Sequence, residues 1–406
     1  MIIEGKIINF DGESQGQVVI DQDSGLIEAI GENFGTADLQ TDGLIFPGFV
    51  DVHVHAREDA SGTQTYKENF RTMSNAAING GIVHAADMPN NPVAPVDETR
   101  YREKQLLAEK SLVGITLYGG VGLETDPFSF PAPYKAFMGP SVGDLFFTSQ
   151  DQLERVIARY ARQAVSFHCE DPEILEAHKK APTHEAKRPA EAEIKAVLFA
   201  IDLIERFKLN GKLCHLSTKA GLEAIVAAKQ RGVQVTAEAA PHHLYFDETM
   251  LTTENRLWLQ INPPLRKPED RKALIAGLKN GALDYLATDH APHLPAEKQR
   301  GISGMPHLDT YGNVAAWLMK EHNFQPQDIA RVCAFNPGKF VNEFNEQKLG
   351  RIEKGYAGSF TIIDPHAPIT IGKGGLKTKS AWSPFEGVTF PGRVTHTIVK
   401  GKIYEN

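Results

Sequence analysis

The sequence predicts an α/β fold, a (β/α)8 TIM barrel carrying a small β-sandwich formed by the N- and C-terminal segments. Three observations predict it. The middle of the 406-residue chain alternates short apolar runs with stretches of helical period. Both ends instead carry short alternating segments broken by Gly, Asp and Ser turns. The length exceeds what one small core needs and suits a barrel with an added domain.

The terminal segments come first. Ile2 to Asn9, Gln17 to Asp21 and Leu26 to Ile30 read as strands. The same texture returns at Ser359 to Asp364 and at His396 to Tyr404. Residues 1–45 and 346–406 are therefore expected to pack together as one sandwich, with residues 46–345 as the barrel. The apolar runs of that middle part are Phe46–His55, Gly81–Met88, Leu112–Val121, Tyr134–Met138, Ala164–Cys169, Lys212–Leu216, Val233–Ala239 and Asp284–Thr288. Between several of them, as in Gln152–Tyr160 and Gly221–Lys229, apolar residues recur three or four apart, as on a helix face. Near-continuous apolar strands separated by helices imply a parallel sheet covered on both faces. An open doubly wound sheet is the alternative. No Gly-rich phosphate loop follows any run, which counts against its dinucleotide-binding form.

Composition narrows the class. Hydrophobic residues make up 41% and charged residues 23%, as in ordinary globular proteins. A net charge of −8 gives no electrostatic reason to expect nucleic acid or an anionic membrane as partner. Cys169, Cys214 and Cys333 are odd in number and far apart, so neither a disulfide framework nor a thiolate zinc finger is expected. The start Met1-Ile2-Ile3-Glu4-Gly5-Lys6 lacks the pattern of a signal peptide, and no run of about 18 apolar residues occurs. A cytoplasmic protein is expected.

In a TIM barrel, catalytic groups come from the C-terminal ends of the strands. The first run ends in His53-Val54-His55-Ala56-Arg57, and residues two apart on a strand share a face. Two neutral imidazoles so placed can bind one divalent ion. The fourth run holds Lys135, the fifth ends at His168-Cys169-Glu170, the sixth at Cys214-His215, and the eighth leads into Asp289-His290-Ala291-Pro292-His293. Any one of these has an ordinary structural reading: a packed histidine, a surface lysine, an Asp capping a helix. Together they would converge on one barrel mouth, as a shared site requires.

These motifs resemble the amidohydrolase superfamily and, within it, the dihydroorotases, over nearly the whole chain from Gly48 onward. The resemblance implies two divalent metal ions, with zinc favoured by the nitrogen and oxygen ligands. His53 and His55 would hold the more buried ion and His168 and His215 the more exposed one. A carboxylated Lys135 would bridge them, and Asp289 would be a further ligand. It also implies a metal-bridging hydroxide that attacks an amide carbonyl, with Asp289 as general base and then acid.

Other residues narrow the substrate. Arg57, two beyond His55, can clamp a carboxylate bidentately. The resemblance places Asn90, in Met88-Pro89-Asn90-Asn91, at a polar group of the substrate, with Asn91 as the fallback. It also places Asn262 at the ring edge and His293 at the carboxylate, with His55 and the backbone near Ser303 and Gly304 completing the contacts. The implied reaction is reversible cyclisation of N-carbamoyl-L-aspartate to L-dihydroorotate plus water, in pyrimidine biosynthesis. The alternative is another cyclic ureide hydrolase, an allantoinase or a dihydropyrimidinase of hydantoinase type. A homodimer and an association with aspartate carbamoyltransferase accord with the resemblance, and the sequence decides neither. Two departures stand out: the first loop reads Glu58-Asp59-Ala60-Ser61-Gly62 where Glu-Pro-Gly is common, and His307 stands where Gly is usual. His242 and His243 are expected to be structural, and His84 a core histidine.

Overall fold

The structure is a computed structural model that describes residues 1–141 and 143–406. Its first strands are β1 (Ile2–Asn9), β2 (Gly12–Ile20), β3 (Ile27–Gly31) and β4 (Leu39–Pro47). The middle part holds β5 (Phe49–Val54), β6 (Ile82–Asp87), β7 (Gly114–Leu117), β8 (Gly119–Gly120), β9 (Tyr134–Phe137), β10 (Ala164–His168), β11 (Asn210–Leu213), β12 (Val235–Ala239) and β13 (Tyr285–Leu286). The last strands are β14 (Phe360–Asp364), β15 (Ile369–Thr370), β16 (Thr389–Phe390), β17 (Arg393–Val399) and β18 (Lys402–Glu405).

Both ends of the chain share one sheet. Its order is β18-β17-β14-β4-β1-β2-β3, so the C-terminal strands join through β14, which pairs antiparallel with β4. The inward face draws Ile3, Ile7, Val18, Ile20 and Ile45 from one end and Phe360, Ile362 and Ile398 from the other. Each such side chain contributes about 1.5–3 kcal/mol of burial free energy, and neither end could bury these residues alone. A short β15–β16 ribbon stands apart.

The middle strands are parallel. β5, β6 and β7 pair in order, and β8 to β13 pair in order. Only Tyr118 separates β7 from β8. Beyond β13 the chain returns to β5: Val54 and His290 form a parallel bridge, and the His55 N–H donates to the His290 carbonyl at 2.8 Å. Asp51, buried within β5, reinforces this closure. Its Oδ1 accepts from the Thr288 N–H at 3.1 Å and its Oδ2 from the Thr288 hydroxyl. Burial pushes this carboxyl up to about 7.

Helices cover the strands where the 3.6-residue period placed apolar residues on one side. In the helix Phe70–Asn79 the buried residues include Phe70, Met73, Ala76 and Ala77, and Asn69 caps it by accepting from the Thr72 N–H. The helix Ala190–Phe207 buries Ala192, Ala196, Val197, Ala200, Ile201 and Ile204, and ends at Lys208 in the left-handed conformation. Among the described residues no helix is long and apolar enough to cross a membrane.

The expected first run differs from the observed strand. Phe46 and Pro47 belong to β4, paired with Thr361 and Phe360, and the chain bends at Gly48 before β5 begins. An apolar run gives no sign of a bend when both halves are buried. The segment Leu39–Pro47 was not expected as a strand, and β2 starts at Gly12, earlier than Gln17.

Thr361 joins the seven-stranded sheet to the parallel strands. Its hydroxyl donates to the Gly81 carbonyl and accepts from the Phe49 N–H at 3.0 Å. Gly81 has φ +87, and a Cβ there would lie 2.4 Å from Thr361 Cγ2, so a side chain is excluded twice over. Thr361→Val keeps the shape but leaves a buried carbonyl and a buried N–H unpaired. It is expected to lower stability by roughly 2–3 kcal/mol, read as an earlier urea midpoint at unchanged slope.

Candidate metal centre and substrate pocket

The site is built from the C-terminal ends of the parallel strands. His53 is the penultimate residue of β5, and His55 lies just past its end. His53 Nε2 and His55 Nε2 each stand 3.2 Å from the same atom, Asp289 Oδ1. The opposite ring nitrogens are held from behind: His53 Nδ1 by Glu238 Oε2 at 2.8 Å, and His55 Nδ1 by Asn90 Oδ1 at 2.7 Å. A ring nitrogen that donates to an acceptor leaves a lone pair on the other, as metal ligation requires. Burial pushes His53 down to about 3 and His55 well below the ordinary imidazole range, so both rings are neutral. Burial also raises the Asp289 carboxyl well above its ordinary value, with the Lys135 and Arg57 cations opposing.

A second pair stands beside the first. His168 Nδ1 lies 2.9 Å from His215 Nε2, and His168 Nε2 lies 2.9 Å from Glu170 Oε2. The His215 and His53 ring centroids are 5.3 Å apart. The His215 Nδ1 has no hydrogen-bond partner. Lys135, fully buried on β9, donates to Cys214 Sγ at 2.8 Å, and among the described residues no carboxylate lies within ion-pair distance of it. Its charge acts on His53, His168, His215 and Asp289. Imidazole nitrogens and a carboxylate oxygen converge here, a donor set of the kind a divalent cation can take. His53, His55 and Asp289 form one group with metal-ligand spacing, and His53, Cys214 and Glu238 form another.

One pocket brings His53, His55, His168, His215 and Asp289 together with Arg57, Asn90, Asn262, Ser303 and Gly304. Lys135 and His293 stand outside its lining. Arg57 gets there differently from the strand-face argument. β5 ends at Val54, and Arg57 has φ +63, so the chain has already turned away from strand geometry. Asp289 and His215 also have positive φ, at 48° and 35°. Such strain in three site residues is typical of functional positions.

Arg57 is buried, its Nε has no hydrogen-bond partner, and its Nη2 meets His293 Nε2 at 3.2 Å. Among the described residues no carboxylate lies within 4.0 Å of this guanidinium. Asn90 lines the pocket, but its Oδ1 is committed to His55, so it orients a ring as well as facing the cavity. Asn91, the fallback, accepts instead from Lys104. The Asn262 Oδ1 is buried and unpaired. Gly304 has φ +133, and a Cβ there would lie 2.6 Å from the Ala291 carbonyl oxygen.

The second departure has a local explanation. His307 turns away from the pocket: its Nε2 meets His242 Nδ1 at 3.0 Å and its N–H donates to His290 Nδ1 at 3.1 Å. His243 Nε2 meets the Pro263 carbonyl at 3.0 Å, and His84 pairs with the Thr116 hydroxyl at 2.8 Å.

Sequence reasoning missed the groups behind the histidines. Glu238 accepts from Lys212, His53 and the His215 N–H, and Glu170 accepts from His168 and Arg188. A signal existed for Glu238, a carboxylate inside the otherwise uncharged strand Val235–Ala239. Glu238→Ala strands the buried Lys212 without a counter-ion and is expected to cost about 3–5 kcal/mol, measured by denaturant unfolding of the purified variant.

Residues 44–404 match the model of the amidohydrolase family. The chain is 31% identical to a dihydroorotase of Pyrococcus furiosus, over 99% of this chain and 92% of that one. It is 33% identical to a dihydroorotase of Lactobacillus acidophilus, over 93% and 92%. Among solved structures it superposes on an L-hydantoinase (dihydropyrimidinase) from Arthrobacter aurescens with a TM-score of 0.88 at 23% identity, covering 100% of this chain and 96% of that one. A dihydropyrimidinase from Brevibacillus agri gives 0.86 at 22%, covering 99% and 94%. With its length matched by the family and its own strand ends supplying the imidazoles and carboxylate described above, the chain belongs to the amidohydrolase family.

Proposed function

We propose that the protein is a dihydroorotase that interconverts L-dihydroorotate plus water with N-carbamoyl-L-aspartate. The observation that carries the substrate is Arg57, a buried guanidinium at the pocket with no carboxylate of its own. A buried cation of this kind is costly unless an anion arrives to pair with it, and the carboxylate of dihydroorotate supplies one. The relatives named dihydroorotase support this reading. The likeness to hydantoinases, at 23% identity or less, speaks for the fold, which we take as a (β/α)8 barrel beside a β-sandwich of the two termini.

His53, His55, His168, His215 and Asp289 would hold two divalent ions, with zinc the best match to the donor set and a carboxylated Lys135 between them. A neutral lysine amine that takes up carbon dioxide becomes a carbamate with two anionic oxygens, which removes the uncompensated ammonium from this nest of imidazoles. When bound, such ions polarise a carbonyl and make water acidic enough to supply a nucleophile at neutral pH.

The chain's own groups do the rest. Arg57, with His293 behind it, holds the substrate carboxylate. Asn262 offers its unpaired amide oxygen to a ring N–H, and the backbone at Ser303 and Gly304 borders the ring. Asp289 Oδ1, between His53 and His55, is placed to take a proton from the attacking water and return it to the departing amide nitrogen. In the reverse direction the same carboxyl group donates first. Three buried cysteines, none of them in a disulfide, accord with a cytoplasmic setting.

Removing divalent metal with a chelator is expected to abolish dihydroorotate hydrolysis, and zinc to restore it. Arg57→Met is expected to lower kcat/KM for dihydroorotate by roughly a hundredfold, the scale for losing one partner of a buried charge pair. Little change in the absorbance-monitored rate would refute the carboxylate reading.

A further inference from the structure

Lys298 ends the short helix Pro295–Lys298, in the stretch between His293 and Ser303. Its side chain is fully buried, and among the described residues no carboxylate lies within 4.0 Å of its Nζ. Three backbone carbonyls stand in place of a counter-ion: Gln260 at 3.0 Å, Ile302 at 2.9 Å and Gly304 at 2.9 Å. The Trp382 ring covers the same nitrogen, 5.8 Å from its centroid. Burial pushes the amine down to about 7. The three acceptors oppose that shift. An ammonium has one N–H for each carbonyl, whereas a neutral amine would turn its lone pair on one of them.

The three carbonyls belong to two segments that meet at the pocket. Ile261 and Asn262 follow Gln260, and Ser303 lies between Ile302 and Gly304. Ile261, Asn262, Ser303 and Gly304 line the pocket, and Lys298 stands outside its lining. The segments also meet directly. The Gly304 N–H donates to the Gln260 carbonyl at 3.0 Å, and Gln260 Nε2 donates to Ser303 Oγ at 3.2 Å. The Gly304 N–H is thereby committed, while the Ser303 N–H has no acceptor among the described residues. In a trans peptide the carbonyl and the following N–H point opposite ways. The Ile302 carbonyl points at Lys298, so the Ser303 N–H points away from it.

We propose that Lys298 is a positioning residue that turns the Ser303 N–H into the pocket as a donor to a carbonyl oxygen of the substrate ring. The proposal rests on the dihydroorotate reading above. The ammonium gathers the Gln260, Ile302 and Gly304 carbonyls on its own side, which leaves the other end of the Ile302–Ser303 peptide to the substrate. Trp382, whose indole N–H donates to the His293 carbonyl at 2.7 Å, covers the ammonium from the C-terminal segment.

The test uses full-length, zinc-loaded protein and the variants Lys298→Met and Lys298→Gln, with kcat counted per bound zinc. Lys298→Met is expected to raise KM for dihydroorotate about tenfold, the scale of one hydrogen bond, with kcat changed less than threefold. Lys298→Gln keeps two N–H donors and is expected to raise KM less. A residue that only stabilised the fold would instead cost active enzyme, lowering kcat at unchanged KM. In protein labelled with 15N-serine, the Ser303 amide is assigned as the signal missing from Ser303→Ala. It is expected to shift when dihydroorotate is added to the wild type and to shift much less in Lys298→Met. Unchanged KM in the Lys298 variants, or a wild-type Ser303 amide that does not respond, overturns the proposal. If Lys298→Met does not fold, the KM of Lys298→Gln and the wild-type amide shift decide it. A wild type that does not turn over dihydroorotate overturns the substrate reading and this proposal with it, whereas normal turnover beside an unresponsive Ser303 amide overturns this proposal alone.

Discussion

His53 Nε2 and His55 Nε2 meet the same oxygen of Asp289 at 3.2 Å, and this meeting joins the first parallel strand to the segment that follows the last. It depends on the bridge between the end of β5 and the segment after β13. The His55 N–H bond to the His290 carbonyl and the Asp51–Thr288 bonds hold those two stretches side by side. The other groups of the site are placed relative to that seam. β9 brings Lys135, β10 ends at His168, and His215 follows β11, in the order in which the strands pair. A slip of one residue in any of these registers would turn one of these side chains to the other face.

Behind the imidazoles lies a shell of acceptors. Glu238, Asn90 and Glu170 each take one ring nitrogen and leave the other bearing a lone pair towards the centre. Burial keeps the rings neutral, and a neutral ring held in one tautomer has the lone pair that metal ligation would need. The carboxylates are neutralised in turn by Lys212 and Arg188. The pocket is thus polarised in two halves: ring nitrogens and carboxylates gather around Asp289, and cationic donors gather around Arg57.

Much of this was legible in the chain. Each of the strands β5 to β13 overlaps one of the eight apolar runs, with β7 and β8 sharing one, and polar residues closing those runs stood out because apolar neighbours surround them. His53, His55, His168, His215 and Asp289 were visible for that reason. The supporting shell was not, because Glu238 and Lys212 meet only through the pairing of β11 with β12, twenty-six residues apart in sequence. Arg57 lines the pocket, but its backbone has left the strand, so the shared strand face is not what brings it there. Asn90 shows the opposite limit. The residue was located, but its bond to His55 depends on β6 lying beside β5. The bend at Gly48 was hidden because Phe46 and Phe49 are both fully buried, one in each sheet.

We propose that these strand ends hold two divalent ions with a carboxylated Lys135 between them. Anomalous diffraction at the zinc edge from zinc-loaded crystals tests it most directly. Two peaks are expected, one beside His53, His55 and Asp289 and one beside His168 and His215, with density for a carboxylate added to Lys135 Nζ between them. A zinc-loaded crystal with no peak at these residues, or with a single peak and an unmodified Lys135, would contradict it.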